Sequence, residues 1–344
     1  MLKLLSSLTN ADLAGKKVFV RGDLDALTED YRLQKMVPTL QFLLDHEVKQ
    51  IIIGGHLGRP GGKPNETEKL DVIAQRLSKL LGQQINKLDE VIPSSIPSDR
   101  IVMLENLRFD QREEKNDPEF AKQLASYADI YVNESFSTSH RTHASFVGIP
   151  ALIPGYAGLQ LEAEVKALTE VMENPQHPLT VIIGGAKIET KLPVINNFLD
   201  KADKILVGGA IGFQSDLVLT NPKVMIPTDF VGNKEDIGPD TAAAFRKIIE
   251  QSQMIIWNGP MGLTEKPEFQ NGTKVVAEAV ANSSAKKIVG GGDTVAFLQK
   301  AGLLDKMGFV STGGGAMLEY LAGKSLPGLE VLNSCHSGPG AGIQ

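Results

Sequence analysis

Three stretches in the second half of the chain place glycines where a β-branched run gives way to a helical pattern. They are Val181–Lys191 (VIIGGAKIETK), Ile288–Leu298 (IVGGGDTVAFL) and Val310–Leu321 (VSTGGGAMLEYL). At such a junction the first N–H groups of the helix lack partners, the helix dipole is positive, and the absent side chains let an anion approach closely. In an open α/β sheet this is also the edge where ligands bind. A single junction serves tight packing as readily as binding. Three in one half, with Lys187 and Lys191 on the first and Asp293 on the second, point to a phosphorylated ligand. Lys187 and Lys191 are four apart and share a face of a helix opening at Gly184-Gly185. A solvated helix face competes with phosphate contact for the pair. Asp293 follows three glycines and precedes a helix, which suits either an N-cap or a Mg²⁺ ligand beside nucleotide phosphates. Thr294 would then meet a phosphate or cap the helix.

The first half carries its polar groups at the ends of predicted strands. Arg21-Gly22-Asp23-Leu24-Asp25 ends one, and Gly55-His56-Leu57-Gly58-Arg59-Pro60 ends the next. Leu104–Phe109 (LENLRF) ends a third, and Asn133-Glu134-Ser135-Phe136 leads into His140-Arg141-Thr142-His143. Arg32 lies just before a helix. If the strands are parallel, His56, Arg59, Arg108 and Arg141 converge on one sheet edge as a basket for a small polyanion. Of nine arginines, eight lie at or before Arg141 and only Arg246 beyond, which agrees with that basket. His46 and His177 read as hydrogen-bonded structural histidines.

Positioning these groups requires alternating strands and helices. Strands are predicted at Lys17–Arg21, Gln50–Gly54, Arg100–Leu104 and Asp129–Asn133, with helices over Leu33–His46, Asp71–Leu81 and Asp117–Tyr127 between them. The second half repeats the style at Leu179–Ile183, Lys204–Val207, Met254–Trp257, Lys287–Val289 and Gly308–Ser311. The fold class is α/β, with parallel βαβ units. The chain has 344 residues, which argues for two domains. The predicted boundary lies at Pro154–Gly158, where Pro and Gly break the pattern ahead of a helix from Leu159 to Glu173. The tail from Ser334 has no periodicity and is expected to be loose.

Composition bounds the function. Apolar residues make up 42% and charged residues 22%, an ordinary globular balance. A net charge of −6 disfavours nucleic acid or an acidic membrane as the main partner. No apolar run is long enough for a membrane span, and MLKLLSSLTN is too short and polar for a signal peptide. The single cysteine, Cys335, excludes an intramolecular disulfide framework and fits a reducing compartment. Neither Gly62-Lys63-Pro64 nor Gly323-Lys324-Ser325 has Walker A spacing. Gly208-Gly209-Ala210-Ile211-Gly212 is only a distant relative of the dinucleotide fingerprint, which disfavours an NAD enzyme.

The segments HLGRP, LENLRF, KNDPEFAKQLA, HRTHAS, IIGGAK, WNGPMG, VGGGDT and STGGGA occur in one order from about Lys16 to Leu332, and together they resemble phosphoglycerate kinase. The resemblance implies two Rossmann-like, doubly wound parallel-sheet lobes joined by a helical hinge. Residues 1–156 with a returning segment at about 325–344 would hold 3-phosphoglycerate, and residues 157–324 the nucleotide. It implies reversible Mg²⁺-dependent phosphoryl transfer between 1,3-bisphosphoglycerate/ADP and 3-phosphoglycerate/ATP in glycolysis, by a cytoplasmic monomer with no nucleic-acid or membrane partner.

Carried over by position, it assigns Asp23, Leu24, Asp25, Arg32, His56, Leu57, Gly58, Arg59, Arg108 and Arg141 to the acid. Gly185, Lys187, Lys191, Glu265, Gly291, Gly292, Asp293 and Thr294 go to ATP/ADP, with Asp293 serving Mg²⁺. Arg32, Lys187, Gly313 and Gly314 would surround the phosphoryl group in flight.

The chain also departs from the family pattern. Asp25 stands where an asparagine is usual and adds a negative charge facing an acidic substrate. Glu134-Ser135 replaces Asp-Ala, and Met317 replaces a serine. Several dozen residues are missing around 213–236, in the lobe that should enclose the adenine. Asp25 and this shortening favour an alternative reading, a catalytically weak or inactive relative serving as a phosphometabolite sensor or scaffold.

Overall fold

The structure is a computed structural model and describes residues 2–27, 29–213 and 221–333. The tail from Ser334 and residues 214–220 of the shortened region lie outside them. Fourteen strands are present among the described residues. In the first half they are β1 (Lys17–Arg21), β2 (Gln50–Gly54), β3 (Asn86–Lys87), β4 (Ile101–Met103), β5 (Ile130–Asn133) and β6 (Gly155–Ala157). In the second they are β7 (Leu179–Ile183), β8 (Lys204–Val207), β9 (Val224–Met225), β10 (Phe230–Val231), β11 (Asp236–Ile237), β12 (Met254–Asn258), β13 (Lys286–Gly290) and β14 (Phe309–Val310).

The chain divides into two compact units, Met1–Glu164 with the segment from Ser325, and Val165–Lys324. The division falls within the helix Leu159–Glu173, not at the Pro/Gly break before it. That break is itself structured: Gly155–Ala157 forms edge strand β6, and Tyr131 N–H donates to Pro154 O at 2.8 Å. A proline directly ahead of an edge strand removes no ladder donor, so the sequence signal for a turn and the observed strand are compatible.

In the first unit the sheet order is β3-β4-β2-β1-β5-β6, all parallel. Period-2 geometry sends alternate side chains to opposite faces. Val18, Val20, Ile51, Ile53, Ile101, Met103, Ile130 and Val132 share one cluster with Leu33, Met36, Leu40 and Leu43 of helix Tyr31–Asp45 and Ile73 and Leu77 of helix Asp71–Leu81. Phe19 and Tyr131, from the intervening positions, stack with centroids 6.2 Å apart. Burial on both faces is why these strands read as continuous apolar runs. The returning segment joins this unit through Lys3 N–H to Leu332 O (3.1 Å) and Gly328 N–H to Ser139 O (2.9 Å).

The second unit has the order β14-β13-β12-β7-β8-β9, also parallel, and a small antiparallel pair β10-β11. Chain order reverses direction about β1 in the first sheet and about β7 in the second. These are topological switch points, where the carboxyl ends of strands leave a crevice for a ligand.

Candidate functional site

The register in the first unit pairs Arg21 with Gly54 and with Asn133, and Ile53 with Met103, so four strands end level. Their following residues therefore share one edge. Asp23, Leu24, His56 and Leu57 are buried there, and Arg108 nearly so. Arg32 Nη1 donates to Asp23 Oδ1 at 3.3 Å and to the Asp25 carbonyl at 3.2 Å, while Nε lies 3.9 Å from Glu29. Asp23 Oδ2 is buried without a hydrogen-bond partner. Arg108 Nη1 donates to Gly58 O at 2.8 Å and Nε sits 3.2 Å from Glu114. The exposed Asp25 carboxylate accepts from Gly58 N–H at 3.0 Å. Arg59 and Arg141 are exposed, each anchored here by its backbone: Arg59 N–H to Glu68 (2.7 Å) and Arg141 N–H to Thr138 O (3.0 Å).

His56 gains a defined tautomer. Arg21 Nη2 lies 3.0 Å from its Nδ1. A guanidinium only donates, so Nδ1 accepts and the neutral ring carries its proton on Nε2. Burial, with Arg21, Arg108, His143 and Arg32 around it, pushes the His56 pKa well below its ordinary value. His143 is pushed down to about 3 by burial and then by Arg108, Arg21 and Arg141. Cations beside a neutral imidazole suit an anionic ligand, because a second buried proton would cost more than it returns.

The second unit brings its glycine turns together in the same way. Ile183 pairs with Val207 and Asn258, and Asn258 with Gly290, so β7, β8, β12 and β13 end level. Three helices open at this edge: Ile188–Phe198, Gly292–Lys300 and Gly314–Leu321. A Cβ at Gly314 would lie 3.9 Å from both Gly291 Cα and Gly292 N, so two of these turns adjoin. Gly259, which follows β12, has φ +97°, and a Cβ there would meet Gly184 O at 2.1 Å. Only glycine lets β7 and β12 close up at this point.

Lys187 and Lys191 do not share an environment. Lys187 stands at the N-cap position, exposed, while Lys191 is 6% exposed. Lys191 Nζ donates to Gly184 O (2.5 Å) and Asn258 Oδ1 (3.1 Å). Burial lowers its pKa to about 8 against the opposing pull of Asp293. Thr294 is buried and its hydroxyl accepts from Gly259 N–H at 2.9 Å, tying β12 to the second glycine turn. Met317 is buried too, with Asn258 Nδ2 3.6 Å from its sulfur. Gly185 is half-buried, and Glu265 and Asp293 are exposed.

Sequence reasoning did not single out Arg21, Glu113 and Ser145 as functional. A charged residue ending a central strand was the available signal for Arg21, since such a group must be paired. Nothing local marks Glu113, which is one of four consecutive polar residues in QREE and becomes buried through tertiary packing.

A Mg²⁺ ion fits the second edge by donor chemistry. Asp293 supplies a hard carboxylate oxygen in the first turn of its helix, and a Cβ at neighbouring Gly292 would meet nothing within 4 Å. No group of three or more His, Cys, Asp or Glu side chains is gathered among the described residues. One carboxylate completed by phosphates and water is the usual arrangement for this ion.

Two parallel α/β sheets, one edged by arginines and a neutral histidine and the other by glycine-led helix starts, define a two-lobed phosphate-handling protein. The family model described as phosphoglycerate kinase matches residues 8–218 and 215–324. The phosphoglycerate kinase of Dictyoglomus turgidum is 40% identical over 392 residues, covering 96% of this chain and 98% of its own. That of Prochlorococcus marinus is 39% identical over 396 residues, again with 96% and 98% covered. The structure of phosphoglycerate kinase from Coxiella burnetii superimposes with TM-score 0.83 at 34% identity, covering 96% of this chain and 99% of that one. The Pyrococcus horikoshii enzyme gives 0.83 at 29%, covering 96% and 98%. The chain belongs to the phosphoglycerate kinase family, a family of phosphotransferases. An alignment of 392 positions that uses 96% of 344 residues leaves roughly 60 positions where this chain has no residue. The family match also changes segment at residues 215–218, within the shortened region. No helix among the described residues is long and apolar enough to cross a membrane.

Proposed function

We propose that this chain transfers the γ-phosphoryl group of ATP reversibly to a carboxylate oxygen of 3-phosphoglycerate. The bond from the β,γ-bridging oxygen to phosphorus breaks, and the acyl-phosphate O–P bond of 1,3-bisphosphoglycerate forms. The observation that carries this reading is Asp23 Oδ2, buried beside Arg32 and left without a donor. A carboxylate held in that state calls for a ligand hydroxyl, and the cations around it call for a ligand with anionic groups. A phosphorylated hydroxy acid supplies both.

In this reading the first unit holds the acid through Asp23, Asp25, Arg32, His56, Arg59, Arg108 and Arg141, with the Leu57-Gly58 backbone shaping the turn. The second holds the nucleotide through Gly185, Lys187, Lys191, Glu265 and Gly291–Thr294. Mg²⁺ at Asp293 would supply charge cancellation on the nucleotide phosphates. Arg32, Lys187 and the Gly313-Gly314 helix start serve the phosphoryl group itself. Little covalent chemistry is asked of the protein in such a transfer; positioning and charge stabilisation do the catalysis. The same reading makes the protein a cytoplasmic, monomeric glycolytic enzyme.

Steady-state turnover with 3-phosphoglycerate and Mg²⁺, using ATP and then GTP, tests it against a Lys187→Ala control. Turnover that collapses in the control supports the proposal, and the ATP/GTP ratio reports how much base selectivity survives the shortening. A folded protein that binds 3-phosphoglycerate but turns over neither nucleotide would refute it in favour of a sensor or scaffold.

A further inference from the structure

Arg21 is the largest charged side chain in the core and is fully buried, so it has no surface to offer a ligand. Each nitrogen is occupied by a neighbour. Nε donates to Ser145 Oγ (2.8 Å), Nη1 to Gly22 O (2.5 Å) and Nη2 to His56 Nδ1 (3.0 Å), and the guanidinium carbon lies 4.3 Å from the Phe146 ring centroid. Behind Ser145 stands Glu113, also 0% exposed. Its Oε2 accepts from Ser145 N–H at 3.0 Å and its Oε1 from the Ser145 hydroxyl at 2.5 Å. Ser145 presents both donors because it lies in a π-helical turn, Ala144–Gly148. Its hydroxyl proton is committed to Glu113, so its oxygen faces Arg21 as an acceptor.

We propose that Glu113 is a positioning residue for the acid site: acting through Ser145 and Arg21, it holds His56 as the Nε2–H tautomer, a neutral donor offered to the anionic substrate. The role of His56 as a substrate ligand rests on the proposed function; the relay itself does not. Arg21, Arg32, Arg108 and His143 face His56, and all oppose a second ring proton. Glu113 is the buried carboxylate that offsets Arg21, and it does so across a serine and not by direct contact.

The test uses the full-length chain labelled with ¹⁵N-histidine, with His56 assigned among the six histidines by a His56→Gln variant. Two-bond ¹H–¹⁵N spectra should show His56 as one neutral Nε2–H tautomer from about pH 5.5 to 8, the range in which an unperturbed histidine titrates. In Ser145→Ala the ring should populate both tautomers, and KM for 3-phosphoglycerate should rise roughly tenfold, the loss of one charge-assisted hydrogen bond, with kcat and KM for ATP changing less. Glu113→Gln should act in the same direction, and Ser145→Thr should restore both readouts. If Ser145→Ala does not fold, Ser145→Cys replaces it as a same-shape, weaker donor.

A His56 signature unchanged in folded Ser145→Ala and Glu113→Gln overturns the relay. A shifted tautomer with an unmoved KM for 3-phosphoglycerate keeps the relay and instead removes His56 from the substrate site.

Discussion

Glu134 offers a quantitative test of how burial competes with hydrogen bonding at the start of the helix Leu159–Glu173. Its Oε1 accepts from Thr39 Oγ1 at 2.6 Å and from Gln160 N–H at 3.0 Å. These donors, and the positive end of the helix, favour the carboxylate. Burial opposes them: the residue is 2% exposed, its Oε2 has no hydrogen-bond partner, and Glu164 adds a like charge. Burial wins, and the pKa rises from 4.5 to about 7. A carboxyl whose folded pKa is raised contributes stability below its unfolded pKa and loses it as pH rises through the folded value. That difference is worth about 3 kcal/mol in full, most of it falling between pH 5 and 8. Urea unfolding of the intact chain at those two pH values, compared with Glu134→Gln, isolates the effect because other titrating groups, such as Asp236, cancel in the difference. The wild type should lose roughly 2–3 kcal/mol more than the variant on going from pH 5 to 8. The glutamine carries its own cost, an amide nitrogen facing a site with no acceptor, but that cost does not vary with pH. Parallel pH curves for the two proteins would refute the reasoning.

Three further predictions concern the two strand-end edges. Lys191 has its pKa lowered to about 8, so ATP affinity measured by calorimetry should fall roughly tenfold between pH 7 and 9, and Lys191→Met should abolish that dependence. Gly259→Ala places a Cβ against Gly184 O at positive φ, and thermal unfolding should register a loss of more than about 2 kcal/mol. Asp25→Asn keeps an oxygen for Gly58 N–H while removing a charge from the acid site. KM for 3-phosphoglycerate should then fall about two- to fivefold, and an equal KM would show that Asp25 does not repel the substrate.

The legible parts of the fold are those governed by short-range pattern. β1, β2, β7 and β8 begin and end at their predicted bounds, and helices Asp71–Leu81 and Leu159–Glu173 match their predicted spans. Each is a long, strongly patterned segment with a clear terminator, as Gly82 in the left-handed conformation is for Asp71–Leu81. Several of the short strands were not legible, although β4 and β14 fall inside their predicted spans. β3 and the β10-β11 pair have two residues per strand and carry no period, and β6 lies under a Pro/Gly signal that marks a turn anywhere else. Their pairing comes from neighbouring strands and not from their own residues.

The same division runs through the site. Asp23, His56 and Arg108 could be placed on one edge from sequence because parallel strands end together, and the glycine turns could be placed on another for the same reason. Spacing alone put Lys187 and Lys191 on one helix face, but the helix begins only after Lys187, so one is exposed and the other buried against β7 and β12. Residue types and their order along the chain determined the α/β class, the phosphate-binding chemistry and the resemblance to phosphoglycerate kinase, because turn glycines and strand-end arginines act where they stand in the chain. Only the tertiary structure decided which charges are buried together. Glu113, Ser145, Arg21 and His56 come from four separate segments, and their protonation and hydrogen-bond roles exist only once the fold has excluded water from all of them.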